Sequence, residues 1–309
     1  MENKNQSSGA LPYLPVVGAP SWFLDNISQP GESRYAPYAG GSVHFLSWNW
    51  DNESLPVLMF VHGFVGHARW WSFLAPFFSD RYRIAAIDLP GMGDSDALSE
   101  YNDDCFARGI LAVIDEYQLP AVTIIGHSFG GVQSIRAMAL RPEVFIRGIV
   151  VDSLVQLPPE DILRMIDGKT QHKQRVDQNE CIQSFRLGPP QPNLIPALHH
   201  YIAYHSCAGD EHGWYWKFDP ALRNFGEIYD ATFLQKVTTK VDCVYGGNSI
   251  FSTDNRPARI LASFANGGQL VIIADAYHHI MLDCPLELVD AINNLLAGSH
   301  SLLAENEEG

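Results

Sequence analysis

A chain of 309 residues with 46% hydrophobic side chains can bury one extensive α/β core, with or without an inserted subdomain, and is neither disordered nor fibrous in composition. Its 20 basic and 35 acidic side chains leave a formal charge of −15, which argues against nucleic acid or an anionic membrane as partner and leaves a small molecule as the expected substrate. The cysteines Cys105, Cys181, Cys207, Cys243 and Cys284 include no C-x-x-C pair and suggest no disulfide framework. No stretch of ~20 apolar residues could span a bilayer, and the polar start Met1 to Ala10 shows no secretory pattern, so the expectation is a cytoplasmic protein.

In chain order, residues 1–10 and 299–309 are polar and read as flexible tails. Ser42 to Trp48 alternates as an early strand, and Leu55 to Val61 is a continuous apolar run suited to a sheet covered on both faces. Trp70 to Phe78 reads as a helix, Tyr82 to Ile87 as a buried strand and Tyr101 to Tyr117 as a helix. Ala121 to Ile125 is again a short buried strand. It runs into Gly126-His127-Ser128-Phe129-Gly130, after which Val132, Ile135, Arg136 and Ala139 recur at helical spacing until Arg141-Pro142. A strand follows over Phe145 to Val151. The alternation predicts a mostly parallel, doubly wound sheet.

From residue 154 to 233 that rhythm breaks. Pro158, Pro159, Pro189, Pro190, Pro192 and Pro196, a polar helical stretch from Gln171 to Glu180, and the aromatic run Trp214-Tyr215-Trp216-Lys217-Phe218 indicate a mostly helical insertion lying over the carboxyl edge of the sheet. The rhythm resumes with strands at Val241 to Tyr245 and Gln269 to Ala274 and helices at Arg256 to Phe264 and Pro285 to Leu296. The core is therefore expected over 11–153 and 234–298, with the insertion between.

The serine turn carries the chemistry. A small-x-Ser-x-small sequence between strand and helix holds the serine strained and exposed at the apex, with the flanking glycines allowing the two backbones to approach. Backbone N–H groups at the head of that helix could hold an oxyanion beside Ser128.

With its companions the turn resembles an α/β-hydrolase with a helical cap. Val61-His62-Gly63-Phe64 resembles the family's oxyanion loop, which implies that the N–H of Phe64 and that of Phe129 form the oxyanion hole. Asp88-Leu89-Pro90-Gly91-Met92-Gly93-Asp94-Ser95 resembles a structural turn after the fourth strand. His278-His279-Ile280-Met281-Leu282-Asp283-Cys284-Pro285 resembles the segment that supplies the catalytic histidine, and the spacing to Asp283 and Pro285 favours His278, leaving His279 as a packing or pocket residue. The family's acid commonly follows the seventh strand as G-x-x-D, but here that stretch is Gly246-Gly247-Asn248-Ser249, and serine cannot carry the charge that stabilises an imidazolium. Some members place the carboxylate after the sixth strand, where Val151-Asp152-Ser153 lies. Asp152 is the candidate, with Asp254 and Asp275 as rivals and an N-cap for the insertion as its structural alternative.

These assignments imply attack by Ser128, proton transfer through His278 and orientation by Asp152, with no metal or organic cofactor. The insertion's His199, His200, His205, Cys207 and His212 show no H-E-x-x-H or C-x-x-C spacing and read as ordinary histidines and cysteine. His127, Trp214, Trp216 and His279 are candidate pocket residues, while Trp70 and Trp71 read as packing. The aromatic insertion suggests a small, apolar or aromatic ester. Carbon–carbon bond hydrolases, thioesterases, amidases and lactonases share the serine turn and stay open, as do a non-catalytic receptor of the fold and the oligomeric state, a homodimer included. Epoxide hydrolases and haloalkane dehalogenases are disfavoured because the family pattern gives them aspartate where Ser128 stands.

Overall fold

The computed structural model describes residues 18–155, 173–224 and 231–297. The expected tails 1–10 and 299–309, together with Pro158, Pro159 and the beginning of the polar stretch at Gln171, lie outside the described residues.

The strands are β1 (Glu32–Tyr38), β2 (Gly41–Trp48), β3 (Val57–Val61), β4 (Arg83–Ile87), β5 (Val122–His127), β6 (Phe145–Val151), β7 (Cys207–Asp210), β8 (Gly213–Trp216), β9 (Val241–Gly246) and β10 (Gly267–Ile273). Eight of them form one sheet in the order β1-β2-β4-β3-β5-β6-β9-β10. β1 and β2 join antiparallel, and every pairing from β4 to β10 is parallel. The fold class read from the sequence is thus the one observed.

Alternation along the central strands explains why the sheet is covered on both faces. Val57, Met59 and Val61 point into one apolar cluster, and Leu58 and Phe60 into the other; Ala85 and Ile87 divide from Ile84 and Ala86 in the same way. The first cluster is completed by α3 (Cys105–Glu116) and α4 (Phe129–Leu140), through Phe106, Ile110 and Ile114 of the one and Ile135 and Met138 of the other. The second is completed by α1 (Ser21–Ile27), α2 (Arg69–Ser72) and α8 (Pro285–Ala297), with Phe23, Trp71, Leu288, Ile292 and Leu295 buried. Each such side chain contributes on the order of 1.5–3 kcal/mol by leaving water.

Differences from the sequence reading have local causes. The single helix expected over Trp70 to Phe78 is split into α2 and a 3₁₀ turn at Ala75–Phe77, where Pro76 lacks the N–H that an α-helix would use. The helix expected to reach Phe264 is α7 (Arg256–Ala262). β1 and α1 were not foreseen; β1 buries only Ala36 fully, its outer face being Ser33, Tyr35 and Pro37, and so carries little apolar signal.

Within the described part of the insertion, α5 (Gln178–Gln183) and α6 (Pro196–His205) are followed by an antiparallel hairpin of β7 and β8, so the segment is not purely helical. The Asp210 carboxylate accepts from the N–H groups of His212 and Gly213, and Gly213 adopts φ +136°, which closes the hairpin. The insertion is fastened to the core at the turn after β4: Gly93 N–H donates to the Lys217 carbonyl, Asp219 N–H to the Gly91 carbonyl, and the Lys217 ammonium lies 2.6 Å from Asp94. That turn therefore docks the insertion as well as shaping the loop. No helix of the described residues is long and apolar enough to cross a membrane.

Candidate active site

Topology chooses the place. From β3 the chain steps outward to β4, then returns past β3 to build β5, β6, β9 and β10 on the other side, so the order reverses between β3 and β5. Loops from the carboxyl ends of these two strands diverge there, one carrying Gly63 and Phe64 and the other Ser128. The loops after β6 and β10 bring Asp152 and His278 to the same edge.

Ser128 is half-buried at φ 54°, ψ −123°, a backbone state that costs a non-glycine residue about 1–3 kcal/mol. Its N–H donates to the Val151 carbonyl, and its own carbonyl accepts from the Gly131 N–H and the Ser153 hydroxyl, so the strained turn is tied to β6 and α4. A β-carbon on Gly130 would lie 2.3 Å from the His62 carbonyl oxygen, and one on Gly126 would lie 2.4 Å from that of Gly130. Only glycine allows α4 to seat directly on the end of β3, and that contact brings the oxyanion loop against the serine.

A β-carbon at Gly63 would come within 3.3 Å of the Ser128 β-carbon. His62 holds this loop: its Nδ1 donates to the Gly63 carbonyl at 2.7 Å, and its Nε2 accepts from the Leu89 N–H at 3.0 Å. The rings of Phe64 and Phe129 meet edge to face at 5.2 Å, and Phe106 packs on Phe129 at 5.1 Å.

His278 Nδ1 lies 2.9 Å from Asp152 Oδ1, with the carboxylate fully buried and the imidazole 3% exposed. Asp152 Oδ2 accepts from the Gly246 N–H at 2.8 Å, and Oδ1 also accepts from the Ser249 hydroxyl at 2.7 Å. Burial pushes the Asp152 carboxyl up to about 7, against the pull of the Ser249 hydroxyl, the Gly246 N–H and His127. Asp152 itself sits at φ 44°, locked by its N–H bond to the Val244 carbonyl. The rival carboxylates Asp254 and Asp275 are exposed to solvent. Ser249 stands where the commoner pattern has aspartate and makes a hydrogen bond to the carboxylate that the chain carries elsewhere. The sequence held a signal for that role, a hydroxyl at a position reserved for the acid, but not its direction.

The Phe251 ring stands edge-on to the His278 imidazole at 4.7 Å. His279 is turned to Trp70, with ring centroids 5.2 Å apart, and its backbone is gripped by Gln191 of the insertion. Gln191 Oε1 accepts from the His279 N–H at 2.8 Å, and its Nε2 donates to Asp283 Oδ2 at 3.1 Å. Asp283, which the spacing argument used as a landmark, also accepts from the Tyr277 N–H at 2.7 Å and so folds the loop that carries His278. The sequence reading missed Gln191; a lone glutamine among prolines has no pattern.

His127 is buried beneath the elbow. It bonds from Nε2 to the His278 carbonyl at 2.9 Å, and burial, helped by His278, lowers its imidazole to about 3, so it is neutral with its lone pair on Nδ1. Trp216 is half-buried, with Nε1 donating to the Cys181 carbonyl and Arg175 stacked 4.5 Å from its ring. Trp214 lies over Gly209 in its own hairpin, a packing contact. Among the described residues two groups could hold a metal ion, His127 with His278 and His279, and His44 with Asp88 and Asp94; neither includes the insertion histidines weighed from sequence.

A family model for the alpha/beta hydrolase family matches residues 58–291. An esterase of Mycobacterium tuberculosis is 22% identical over 290 residues, covering 88% of this chain and 93% of that protein. A Haemophilus influenzae protein provisionally described as an esterase/lipase is 38% identical over 97 residues, which cover 31% of this chain and 34% of that protein, so that likeness spans about a third of the relative's length. Among solved structures, that of E-2-(acetamidomethylene)succinate hydrolase superposes with a TM-score of 0.74 over 86% of this chain and 99% of that one; at 19% identity this speaks for the fold alone.

Proposed function

Because the chain belongs to the alpha/beta hydrolase family, we propose that it is a serine hydrolase that cleaves a carboxylic ester of a small, apolar or aromatic substrate through an acyl-enzyme on Ser128. One observation carries the reading: a serine held in a strained conformation at the switch point of the sheet shares its edge with a buried His278–Asp152 pair.

The Asp152 carboxylate accepts the Nδ1 proton of His278, which leaves the lone pair on Nε2. Ser128 Oγ adds to the ester carbonyl while Nε2 takes its proton. The carbonyl oxygen becomes an oxyanion facing the N–H groups of Phe64 and Phe129, and each such donor contributes about 2.7–4 kcal/mol in comparable sites. Collapse expels the alcohol, protonated by His278, and the acyl group stays on Ser128. Water, deprotonated by the same imidazole, then repeats the sequence and releases the acid and the free serine. The phenylalanines at the elbow and Trp216 in the insertion supply an apolar surround for the acyl or alcohol group. Free thiols at all the cysteines agree with a cytoplasmic setting.

The Ser249–Asp152 bond weighs against a non-catalytic receptor, a reading that drew its support from the missing carboxylate in the loop after β9. Stoichiometric labelling of Ser128 by a fluorophosphonate, with steady-state turnover of p-nitrophenyl esters of graded chain length, tests the proposal. Thioesters, lactones, amides and vinylogous diketones belong in the same panel, because faster turnover of one of these would move the substrate class while keeping the nucleophile. A protein that takes neither label nor substrate is a binding protein.

A further inference from the structure

Three imidazoles converge beside the serine, and the hydrolytic cycle uses one of them. His127, just before the nucleophile, and His278 and His279, consecutive on the loop after β10, each bring one ring nitrogen within 4.8 Å of those of the other two. All three are buried, and their ring centroids are 4.7, 5.6 and 4.7 Å apart. Trp70 walls the group on one side, stacked on His127 at 6.4 Å with an interplanar angle of 16°.

We propose that His127, His278 and His279 form an inhibitory site for a borderline-soft divalent transition metal of the Zn²⁺ or Cu²⁺ class, whose binding occupies the Nε2 of His278. The inhibitory effect rests on the hydrolase reading; the binding site does not. Three nitrogen donors with no carboxylate among them suit zinc, copper or nickel and discriminate against magnesium and calcium. His278 Nδ1 is engaged by Asp152, so ligation falls to Nε2, the nitrogen that Ser128 needs. The same carboxylate–imidazole bond orients a metal-bound histidine and raises its basicity. Metal–nitrogen bonds of about 2.0–2.1 Å in a tetrahedron place donors roughly 3.4 Å apart. Since the nitrogens already lie within 4.8 Å of one another, the rings must draw in by at most about 1.4 Å, and the fourth position is left to solvent or the serine hydroxyl. A net charge of −15 favours arrival of a cation.

The second group, His44, Asp88 and Asp94, does not compete. Its central Asp88 carboxylate is engaged by His44 Nδ1 at 2.6 Å and by the N–H groups of Ala68 and Asp94. The insertion histidines do not gather into a group of three among the described residues.

Titration calorimetry on Ser128→Ala protein, which needs no activity, tests the site with Zn²⁺ against Mg²⁺. One Zn²⁺ per chain is expected at micromolar affinity or tighter, with no Mg²⁺ binding. His127→Gln and His279→Gln, each verified as folded by thermal melting, are expected to weaken Zn²⁺ binding at least tenfold. In the wild-type protein Zn²⁺ is expected to inhibit ester hydrolysis and EDTA to restore it, with inhibition constants, scaled to each variant's own activity, following the calorimetric order. Absence of saturable Zn²⁺ binding overturns the proposal, as does affinity unchanged in both histidine variants, which would locate the ion on the acidic surface. Zn²⁺ binding that depends on the histidines in a protein without hydrolase activity would uphold the site and refute the hydrolase reading instead.

Discussion

Ser249→Ala removes one of the hydrogen bonds that hold the Asp152 carboxylate, at 2.7 Å and in a position 4% exposed. A hydrogen bond to a charged group contributes about 1.5–3 kcal/mol, and the remaining donors, the Gly246 N–H and His278 Nδ1, stay in place. The carboxylate is then free to shift, and Phe251 loses its N–H acceptor at 3.1 Å, which loosens the ring packed edge-on to His278. With about 1.4 kcal/mol per tenfold in rate, kcat/KM should fall by roughly 10–100-fold. The Ser249 hydroxyl lowers the Asp152 carboxyl, so its loss raises that group and strengthens its hold on the imidazole proton; the acid limb of the kcat/KM profile should move to higher pH. The assay is steady-state hydrolysis of a p-nitrophenyl ester from mildly acidic to mildly alkaline pH, with Ser249→Thr as the variant that keeps the hydroxyl. An alanine variant with wild-type kcat/KM and an unmoved acid limb would show that Ser249 has no part in positioning the acid.

Asp152→Asn should reduce ester turnover by about 10⁴-fold, on the scale known for loss of a triad carboxylate, with circular dichroism and melting temperature preserved. Asp254→Asn, an exposed change, should leave turnover near wild type, and the reverse ranking would move the acid to the loop after β9. Gln191→Ala breaks the strut between the insertion and the histidine loop, and hydrogen exchange at residues 277–282 should accelerate while kcat falls several-fold; unchanged exchange would deny the coupling. Burial alone would raise the Asp88 carboxyl, but His44, with His62 and the Asp94 N–H, holds it well below the usual carboxylate range. Its folded pKa is depressed, so its stabilisation is present above about pH 4 and is lost as pH falls through the folded value. Asp88→Asn should therefore flatten the decline of urea midpoint with acidification, and an equally steep decline would place the acid sensitivity elsewhere.

The legible parts of this chain were those governed by neighbours in sequence. The central strands announced themselves because two-sided burial leaves an unbroken apolar run, as in Val57 to Val61, and the elbow because glycine is required on both sides of a strained serine. Those are short-range constraints, and each restricts residue type at a fixed offset. β1 escaped notice because an edge strand with one wet face has no such restriction, and the hairpin of β7 and β8 because its aromatic residues pack within an insertion whose pattern is broken by prolines.

The sequence by itself specified the fold class, the position of Ser128 and a short list of histidines and carboxylates. Only the tertiary structure shows which of them meet: Asp152 reaches His278 across 126 positions of chain and Ser249 across 97, because parallel strands deliver all their carboxyl ends to one edge whatever their separation in sequence. The gathering of His127 with His278 and His279 has the same origin. Contacts of that kind impose no spacing on the chain, since the register of a sheet, and not the distance along the polypeptide, decides which side chains share a site.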